Sequence, residues 1–338
     1  RAVFEERAMI TKDKKTQKIT DQIDAITAIP ENRYRTVLPP PRSVKIELTG
    51  RCNYRCGFCA LRMRSKQPVE DMNWGFFSRI AREMRQAGVE ELGMFFLGES
   101  FMAPELLVKA IRYAKKDVGF PYVFLTSNGS LAGPDIVRRC MEAGLDSLKW
   151  SLNNSDEEQF KLIAGVKSGL WRRSIDNLKA AKKVRDEVER KTGHRCGLYA
   201  SSIRYDCEQQ KRMEALVEKL LPCIDEHYWL PLYSMGSLAT QREKELGYRP
   251  IAGNQGRLGA LREPLPCWSA FTEGHITSGG KLSACCFDAD ERWTMADLNK
   301  VSFLEGWNSQ PFQKLRSAHL KKDVKGTVCE MCVAYQQN

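Results

Sequence analysis

The 338-residue chain has no apolar run close to the roughly 20 residues that a membrane-spanning helix needs. Its first residues are charged, whereas a secretion signal carries an apolar segment. Low-complexity tracts are also absent, and 42% hydrophobic with 28% charged residues is typical of globular proteins. These absences predict a cytoplasmic globular protein that does not associate with membranes.

Helix-turn-helix, zinc-finger and RNA-stacking signatures are missing, although the net charge of +11 would suit a nucleic-acid partner. The basic residues are dispersed along the chain rather than clustered on one predicted element. The charge therefore favours solvated helix faces or attraction of a small anionic substrate, and it disfavours a nucleic-acid partner.

Cysteine, in contrast, is abundant, with twelve residues. In a chain of this size without a secretion signal, metal binding or redox chemistry is favoured over disulfide bonds. Seven of the twelve fall into two tightly spaced groups, and such spacing is what ligation of a metal cluster requires.

Short apolar runs alternate with segments of helical periodicity between residues 44 and 232. The runs predict six strands: VKIEL, LGMFFL, YVFLTS, LDSLKWSL, CGLYASSI and HYWLPL. Strands that alternate with helices predict an α/β fold with a parallel sheet, curled or open, whose active site lies at the C-terminal strand ends.

Three further segments flank this region. Residues 1–43 are polar, end in VLPPPR and are predicted to form an N-terminal arm. Residues 233–264 are predicted to form a connecting loop or lid, and residues 265–338 a hairpin, HITSGGKLSACC, followed by a helix and CEMC. The arginines of the predicted lid, which suit an anionic substrate, are Arg242, Arg249, Arg257 and Arg262.

The first cysteine group, Cys52, Cys56 and Cys59, directly follows the first predicted strand. Its Cys-x3-Cys-x2-Cys spacing supplies three thiolates from one loop, enough to hold three corners of a 4Fe–4S cube and leave the fourth iron open. A structural zinc site is the alternative, but it would need a fourth ligand from elsewhere.

This arrangement resembles the radical S-adenosylmethionine (SAM) superfamily. The resemblance implies a partial (β/α)6 TIM-type barrel in which the amino and carboxylate groups of SAM chelate the open iron. It also implies SAM-contacting residues at the ends of the first four strands: Phe58, Gly98, Glu99, Ser127, Asn128, Ser151 and Asn153. Asn153 stands where many relatives have Asp, so the position of a catalytic base is left open.

The second group is Cys267, Cys285, Cys329 and Cys332, with Gly280 before the second cysteine. Four thiolates saturate either a cube or one zinc ion. The spacing resembles the Twitch form of the SPASM auxiliary-cluster domain, and the 17-residue gap between Cys267 and Cys285 is similar to that of 2-deoxy-scyllo-inosamine dehydrogenases. The resemblance implies a second, auxiliary 4Fe–4S cluster.

The combined resemblance implies reductive cleavage of SAM to a 5'-deoxyadenosyl radical, with electrons from a flavodoxin- or ferredoxin-type reductant. The predicted substrate is a small polar molecule, such as a sugar, aminocyclitol or nucleoside. It would be oxidised with the auxiliary cluster as electron acceptor, or epimerised with Cys286 as hydrogen donor. Further residues placed near the substrate or SAM by position alone are Tyr199, Arg204, Tyr233 and His275.

Three alternatives stay open from the sequence alone. A peptide or protein substrate is one, although the predicted 43-residue arm is shorter than the leader-binding domain of many peptide-modifying relatives. The others are a non-catalytic electron-transfer or structural metal protein, and a nucleic-acid-modifying enzyme.

Overall fold

The computed structural model describes residues 18–64, 66–167, 169–205, 207–233, 235 and 265–332. The strands of these segments form one sheet, in the order β6-β5-β4-β3-β2-β1-β7-β8-β9. Their bounds are β1 Ser43–Ile46, β2 Glu91–Gly93, β3 Tyr122–Ser127, β4 Ser147–Ser151, β5 Gly197–Ile203, β6 Glu226–Leu230, β7 Glu273–Ile276, β8 Lys281–Ser283 and β9 Thr294–Asp297.

Helices precede, connect and follow the strands. Their bounds are α1 Ile19–Thr27, α2 Trp74–Ala87, α3 Pro104–Arg112, α4 Pro134–Ala143, α5 Glu157–Ala164, α6 Gly169–Thr192, α7 Cys207–Leu220, α8 Ser269–Thr272, α9 Phe303–Trp307 and α10 Gln310–Leu320. Two helices begin with proline at the first turn, and α2 and α4 end at Gly88 and Gly144 with φ of 111° and 108°. These left-handed ends favour glycine and explain where the helices stop.

Strands β1 to β6 pair in parallel, each with its sequence neighbour. One face of the sheet is apolar and packs against the helices, as shown by Val44, Leu92 and Leu148, which are fully buried. The other face carries polar side chains, including Lys45 and Lys149, that line an internal cavity. The predicted partial (β/α)6 barrel is confirmed, and its concave face is polar.

The C-terminal hairpin continues this sheet. Strand β7 pairs in parallel with β1 along its whole length, from Ser43 opposite Glu273 to Ile46 opposite Ile276, and β8 and β9 add antiparallel strands. The sequence predicts residues 265–338 as a hairpin followed by a helix and CEMC. In the structure the first strand of this hairpin, β7, covers the edge of the barrel sheet that β1 would otherwise expose.

The N-terminal segment also belongs to the fold. Helix α1 lies across the N-terminal ends of the barrel strands, where the Ile19 amide and Thr20 Oγ1 donate to the Glu226 carboxylate at 2.7 and 2.6 Å. Thr272 Oγ1 donates to the Ile26 carbonyl at 2.6 Å. The prediction of residues 1–43 as an arm missed this helix, since its nine residues lie in a polar stretch with no capping side chain.

Most of the predicted lid, residues 236–264 with its four arginines, lies outside the described residues. Within the described ranges, no helix is both long enough and apolar enough to cross a bilayer.

Candidate iron–sulfur and substrate sites

The first cysteine group lies in the loop after β1. The amides of Arg55 and Gly57 donate to carbonyls of Ala164 and Ile163, at 2.8 and 2.7 Å, which anchors the loop to the end of α5. Burial, with smaller effects of Glu99 and Cys59, raises the pKa of Cys52 to about 12. Cys52 and Cys59 also raise the pKa of Cys56, so the three thiols form a compact group that would release protons on binding metal.

The loop after β2 lies directly against the cysteine loop. A Cβ on Gly98 would lie 2.0 Å from the Thr49 carbonyl oxygen, so only glycine fits at this position. The Glu99 amide donates to the Arg51 carbonyl at 2.8 Å. The two loops are therefore fixed to each other immediately before the first cysteine.

Glu99 joins the second and third strands at this edge. Its carboxylate accepts hydrogen bonds from Ser127 Oγ at 2.9 Å, the Asn128 amide at 2.8 Å and the Phe101 amide at 3.2 Å. Asn128 Nδ2 donates to Asn53 Oδ1 in the cysteine loop at 2.9 Å. Four predicted residues, Gly98, Glu99, Ser127 and Asn128, are thus brought together beside Cys52, and their contact with SAM stays a prediction.

The remaining predicted SAM residues lie at the same edge. Phe58 packs against an apolar cluster that includes Ile163 and Ile203. Ser151 ends β4, and Asn153 Oδ1 accepts from the Ile203 amide at 3.1 Å, which ties the end of β4 to the end of β5.

Glu47 is a site residue that the sequence analysis missed. It is buried one residue beyond β1, and its Oε1 accepts from the Gly98 amide at 3.0 Å. Its Oε2 accepts from the amide and hydroxyl of Ser278, at 3.3 and 3.2 Å. Glu47 therefore connects the SAM-side loops to the C-terminal hairpin, and its position two residues after Lys45, within an apolar strand, was the available signal.

The second group converges from three segments of the C-terminal region. All four cysteines, Cys267, Cys285, Cys329 and Cys332, line one cavity. Burial holds the pKa of Cys329 well above its usual value, and the other three cysteines raise it further. The four thiols are therefore arranged around a common space, which fits a 4Fe–4S cube.

The described residues contain no group of three His, Cys, Asp or Glu side chains arranged to share one metal ion.

A separate cavity of about 210 Å³ lies inside the barrel, between α1 and the C-terminal hairpin. Polar side chains line it, among them Lys45, Glu91, Thr126, Lys149, Tyr199, Tyr228, Tyr233, Glu273 and Cys286, together with aromatic rings such as those of Phe95 and Phe124. Cys285 lines the cluster cavity and Cys286 the barrel cavity, and the two adjacent thiols are in hydrogen-bond contact.

Two residues placed by position alone lie outside this cavity lining. His275 is fully buried in β7, where its Nε2 lies 2.9 Å from Glu273 Oε2. Arg204 lies over the Trp229 ring, 5.8 Å from its centroid. Tyr199 and Tyr233, in contrast, both line the cavity.

The two cavity lysines differ in their partners. Lys45 Nζ lies 2.7 Å from Glu273 Oε2, and this ion pair neutralises its charge. Lys149 has no carboxylate within ion-pair distance among the described residues, and its Nζ lies 5.5 Å from the centroid of the Tyr228 ring. Burial and the charge of Lys45 lower the pKa of Lys149 to about 7.

Comparison with protein families identifies the class to which this fold and these cysteine groups belong. Residues 46–218 match the radical SAM superfamily, about half of the chain, and the chain belongs to that superfamily. Residues 267–333 match the SPASM iron–sulfur cluster-binding domain. The protein is therefore a radical SAM enzyme that binds SAM and a 4Fe–4S cluster, with an auxiliary iron–sulfur cluster at its C-terminal domain.

Curated relatives match only part of the chain. The SAM-dependent nucleotide dehydratase RSAD2 of Oncorhynchus mykiss is 32% identical over 151 residues, which cover 43% of this chain and 40% of that protein. The PqqA peptide cyclase of Granulibacter bethesdensis is 26% identical over 155 residues, covering 45% and 38%. The chain spans less than half the length of these relatives.

Solved structures share the fold over most of the chain. BtrN in complex with AdoMet and 2-DOIA superposes with a TM-score of 0.53 at 11% identity, covering 84% of this chain and 89% of BtrN. Streptococcus suis SuiB bound to the precursor peptide SuiA gives a TM-score of 0.61 at 17% identity, covering 90% and 72%. At these identities the likeness concerns the fold alone.

Proposed function

We propose that this protein uses radical SAM chemistry to abstract a hydrogen atom from a small, polar, anionic molecule bound inside the barrel. The observation that carries the proposal is the barrel cavity, which α1 covers at the N-terminal ends of the strands. When bound, the first cluster and SAM supply a 5'-deoxyadenosyl radical. The protein itself contributes the substrate's position and the exclusion of water.

The dimensions of the cavity support a small substrate. A volume of about 210 Å³ holds a sugar-sized molecule but not an extended peptide segment of several residues. Tyrosine hydroxyls and lysine amines line it, and such groups orient hydroxyl- and phosphate-bearing molecules by hydrogen bonds.

The charge of the cavity supports an anionic substrate. Of the two carboxylates that line the cavity, Glu273 pairs with Lys45 and Glu91 with Arg42, so neither forms an ion pair with the ammonium group of Lys149. A buried cation is costly unless it is paired, and a substrate phosphate or carboxylate would pair with it.

Two outcomes follow hydrogen abstraction. In a dehydrogenation, the substrate radical would lose a proton and one electron, and a cluster held by the four C-terminal cysteines would accept that electron. In an epimerisation, the Cys286 thiol would return a hydrogen atom from the opposite side, and the resulting thiyl radical would take one electron from the flavodoxin- or ferredoxin-type reductant and one proton from solvent. The placement of Cys286 on the cavity supports the second outcome, and the auxiliary cluster supports the first.

A peptide substrate is the second candidate. It is supported by the likeness of fold to SuiB, which was solved with a precursor peptide, and by the partial match to a PqqA peptide cyclase. Under this proposal the peptide would have to reach the barrel cavity from the C-terminal strand ends, since α1 covers the other end.

The experiment is anaerobic reconstitution, reduction with dithionite in the presence of SAM, and quantification of 5'-deoxyadenosine. Sugar phosphates, aminocyclitols, nucleotides and peptides are screened for faster cleavage. Faster turnover with a phosphorylated small molecule than with its neutral parent supports the proposal, whereas stimulation by peptides alone contradicts it. The Cys52→Ala/Cys56→Ala/Cys59→Ala variant is the inactive control.

Deuterium oxide distinguishes the two outcomes once a substrate is found. If Cys286 returns hydrogen, the epimerised product carries deuterium from the solvent. In Cys286→Ala, SAM should still be cleaved and hydrogen abstracted from the substrate, but no deuterium should be incorporated. Cys223→Ala removes a half-buried thiol that lies outside both cavities, so it should leave the product unchanged.

A further inference from the structure

His319 contacts two of the auxiliary-cluster cysteines from the last turn of α10. It is 1% exposed and lines the same cavity as the four thiols. The Cys267 amide donates to His319 Nδ1 at 3.1 Å, and His319 Nε2 lies 3.3 Å from Cys329 Sγ. The ring edge also packs against Phe271, with centroids 6.3 Å apart, which fixes its orientation.

These contacts determine where the imidazole proton resides. A backbone amide only donates, so Nδ1 must accept the hydrogen bond from Cys267 and carries no proton. The proton of the ring therefore sits on Nε2, the nitrogen that faces Cys329 Sγ. A deprotonated cluster thiolate has no hydrogen to donate, so the bond runs from Nε2–H to sulfur.

A hydrogen bond to a cluster thiolate changes the energy of the reduced state more than that of the oxidised state. Reduction adds a negative charge to the cluster, and part of that charge resides on the cysteine sulfurs. Donors directed at those sulfurs stabilise the added charge and raise the reduction potential.

We propose that His319 is a positioning residue that donates a hydrogen bond to Cys329 and raises the reduction potential of the auxiliary cluster. Its ring joins the segment of the first ligand, Cys267, to that of the third, Cys329. This inference concerns the auxiliary cluster alone and does not depend on which substrate the barrel cavity binds.

The test is a potentiometric titration followed by EPR, in full-length protein that also carries Cys52→Ala/Cys56→Ala/Cys59→Ala so that only the auxiliary cluster is loaded. His319→Phe keeps the ring size and removes the donor. We expect it to shift the midpoint potential negatively by about 59 mV, the equivalent of a tenfold loss in stabilisation of the reduced state for one electron. His319→Gln, whose amide nitrogen can still donate, should recover much of the shift.

His227→Phe is the control, because His227 is a half-buried histidine that lies on the barrel, with its Nε2 2.9 Å from Ser202 Oγ. It should leave the potential unchanged. Equal potentials for the parent and a His319→Phe protein with about four irons would overturn the proposal.

Pulsed EPR of the parent with ¹⁵N-labelled histidine gives a second test that needs no variant. A weak ¹⁵N coupling to the reduced cluster is expected for a hydrogen-bonded imidazole. Absence of any coupling, or the strong coupling of a directly ligated nitrogen, would contradict the hydrogen bond. This measurement decides the question even if His319→Phe fails to assemble its cluster.

Discussion

Lys149 shows how a single residue links the function of the cavity to the stability of the protein. Its amine faces the Tyr228 ring and shares the cavity with Thr126 and Tyr199, while the nearest cationic side chain that affects it is Lys45. A lysine without a carboxylate partner in such a place destabilises the free enzyme. A residue of this kind is explained more readily by a bound anion than by folding.

We therefore expect Lys149→Met to stabilise the substrate-free protein by about 1–3 kcal/mol at pH 6.5. The pKa of Lys149 is lowered to about 7, whereas an unfolded chain binds this proton up to a pH near 10.4. The destabilisation is thus complete below pH 7 and fades as the pH rises towards 10.4. Thermal unfolding at pH 6.5 and 9 measures the difference.

Lys179→Met is the control for this prediction, since Lys179 is an exposed lysine on α6. It should change the melting temperature little at either pH. An increase in the melting temperature of Lys149→Met that is equal at both pH values would show that the stabilisation comes from added apolar packing rather than from removal of the charge.

Gly98 provides a steric test at the same scale. Gly98→Ala would place a Cβ 2.0 Å from the Thr49 carbonyl, so the cysteine loop must move. We expect a loss of about 1–3 kcal/mol of stability, as for overpacked cores, and reduced iron loading of the first cluster only. Gly133→Ala is the control, because nothing lies within 4 Å of its Cβ and its φ is −64°.

At the scale of elements, α1 decides whether the barrel cavity is covered at the N-terminal ends of its strands. Its first turn is held by two hydrogen bonds to the Glu226 carboxylate. Hydrogen bonds to charged groups contribute about 1.5–3 kcal/mol each, so Glu226→Ala should make local opening of α1 at least about tenfold more frequent.

Hydrogen–deuterium exchange of peptides spanning residues 18–27 measures this opening. Glu218→Ala removes an exposed carboxylate from α7 and should leave the exchange of α1 unchanged. Unaltered exchange in Glu226→Ala would mean that apolar contacts of α1, rather than these hydrogen bonds, hold it in place.

The sequence predicted the central strands well and the flanking elements poorly. Six short apolar runs separated by helical periodicity identified β1 to β6, although β2, Glu91–Gly93, overlaps the predicted LGMFFL run only at Leu92 and Gly93. Local patterns carry that information because each parallel strand is buried on its outer face. They do not specify which strand a distant hairpin joins, so the pairing of β7 with β1 was not predicted.

The residues of the candidate site divide in the same way, into those that local sequence patterns identify and those that only the structure reveals. Local spacing identified the three cysteines of the first group, because ligands close together in one loop are a local feature of sequence. The second group was identified through its resemblance to a known spacing, and the structure brings its three segments together around one cavity. Tertiary contacts between segments far apart in the chain were needed to identify Glu47, Lys149 and His319. The sequence signal for the first two was a charged residue inside an apolar strand, which becomes informative only when the facing residues are known.

For the whole molecule, the shared sheet couples the two cluster sites. Strand β1, which leads into Cys52, has β2 on one side and β7 on the other. An auxiliary cluster would fix the hairpin that contains β7, and Glu47 adds a second connection through Ser278. Loss of the auxiliary cluster should therefore disturb the SAM site, and loss of the first cluster should disturb the hairpin.

We expect the Cys267→Ala/Cys285→Ala/Cys329→Ala/Cys332→Ala variant to retain about four irons per chain but to bind SAM at least about tenfold more weakly. Exchange of amides in residues 43–50 should also rise, since their partner strand is less stable. Because coupling between two binding sites is reciprocal, the variant without Cys52, Cys56 and Cys59 should raise amide exchange in the hairpin. No disturbance in either variant would show that the continuous sheet does not couple the two sites.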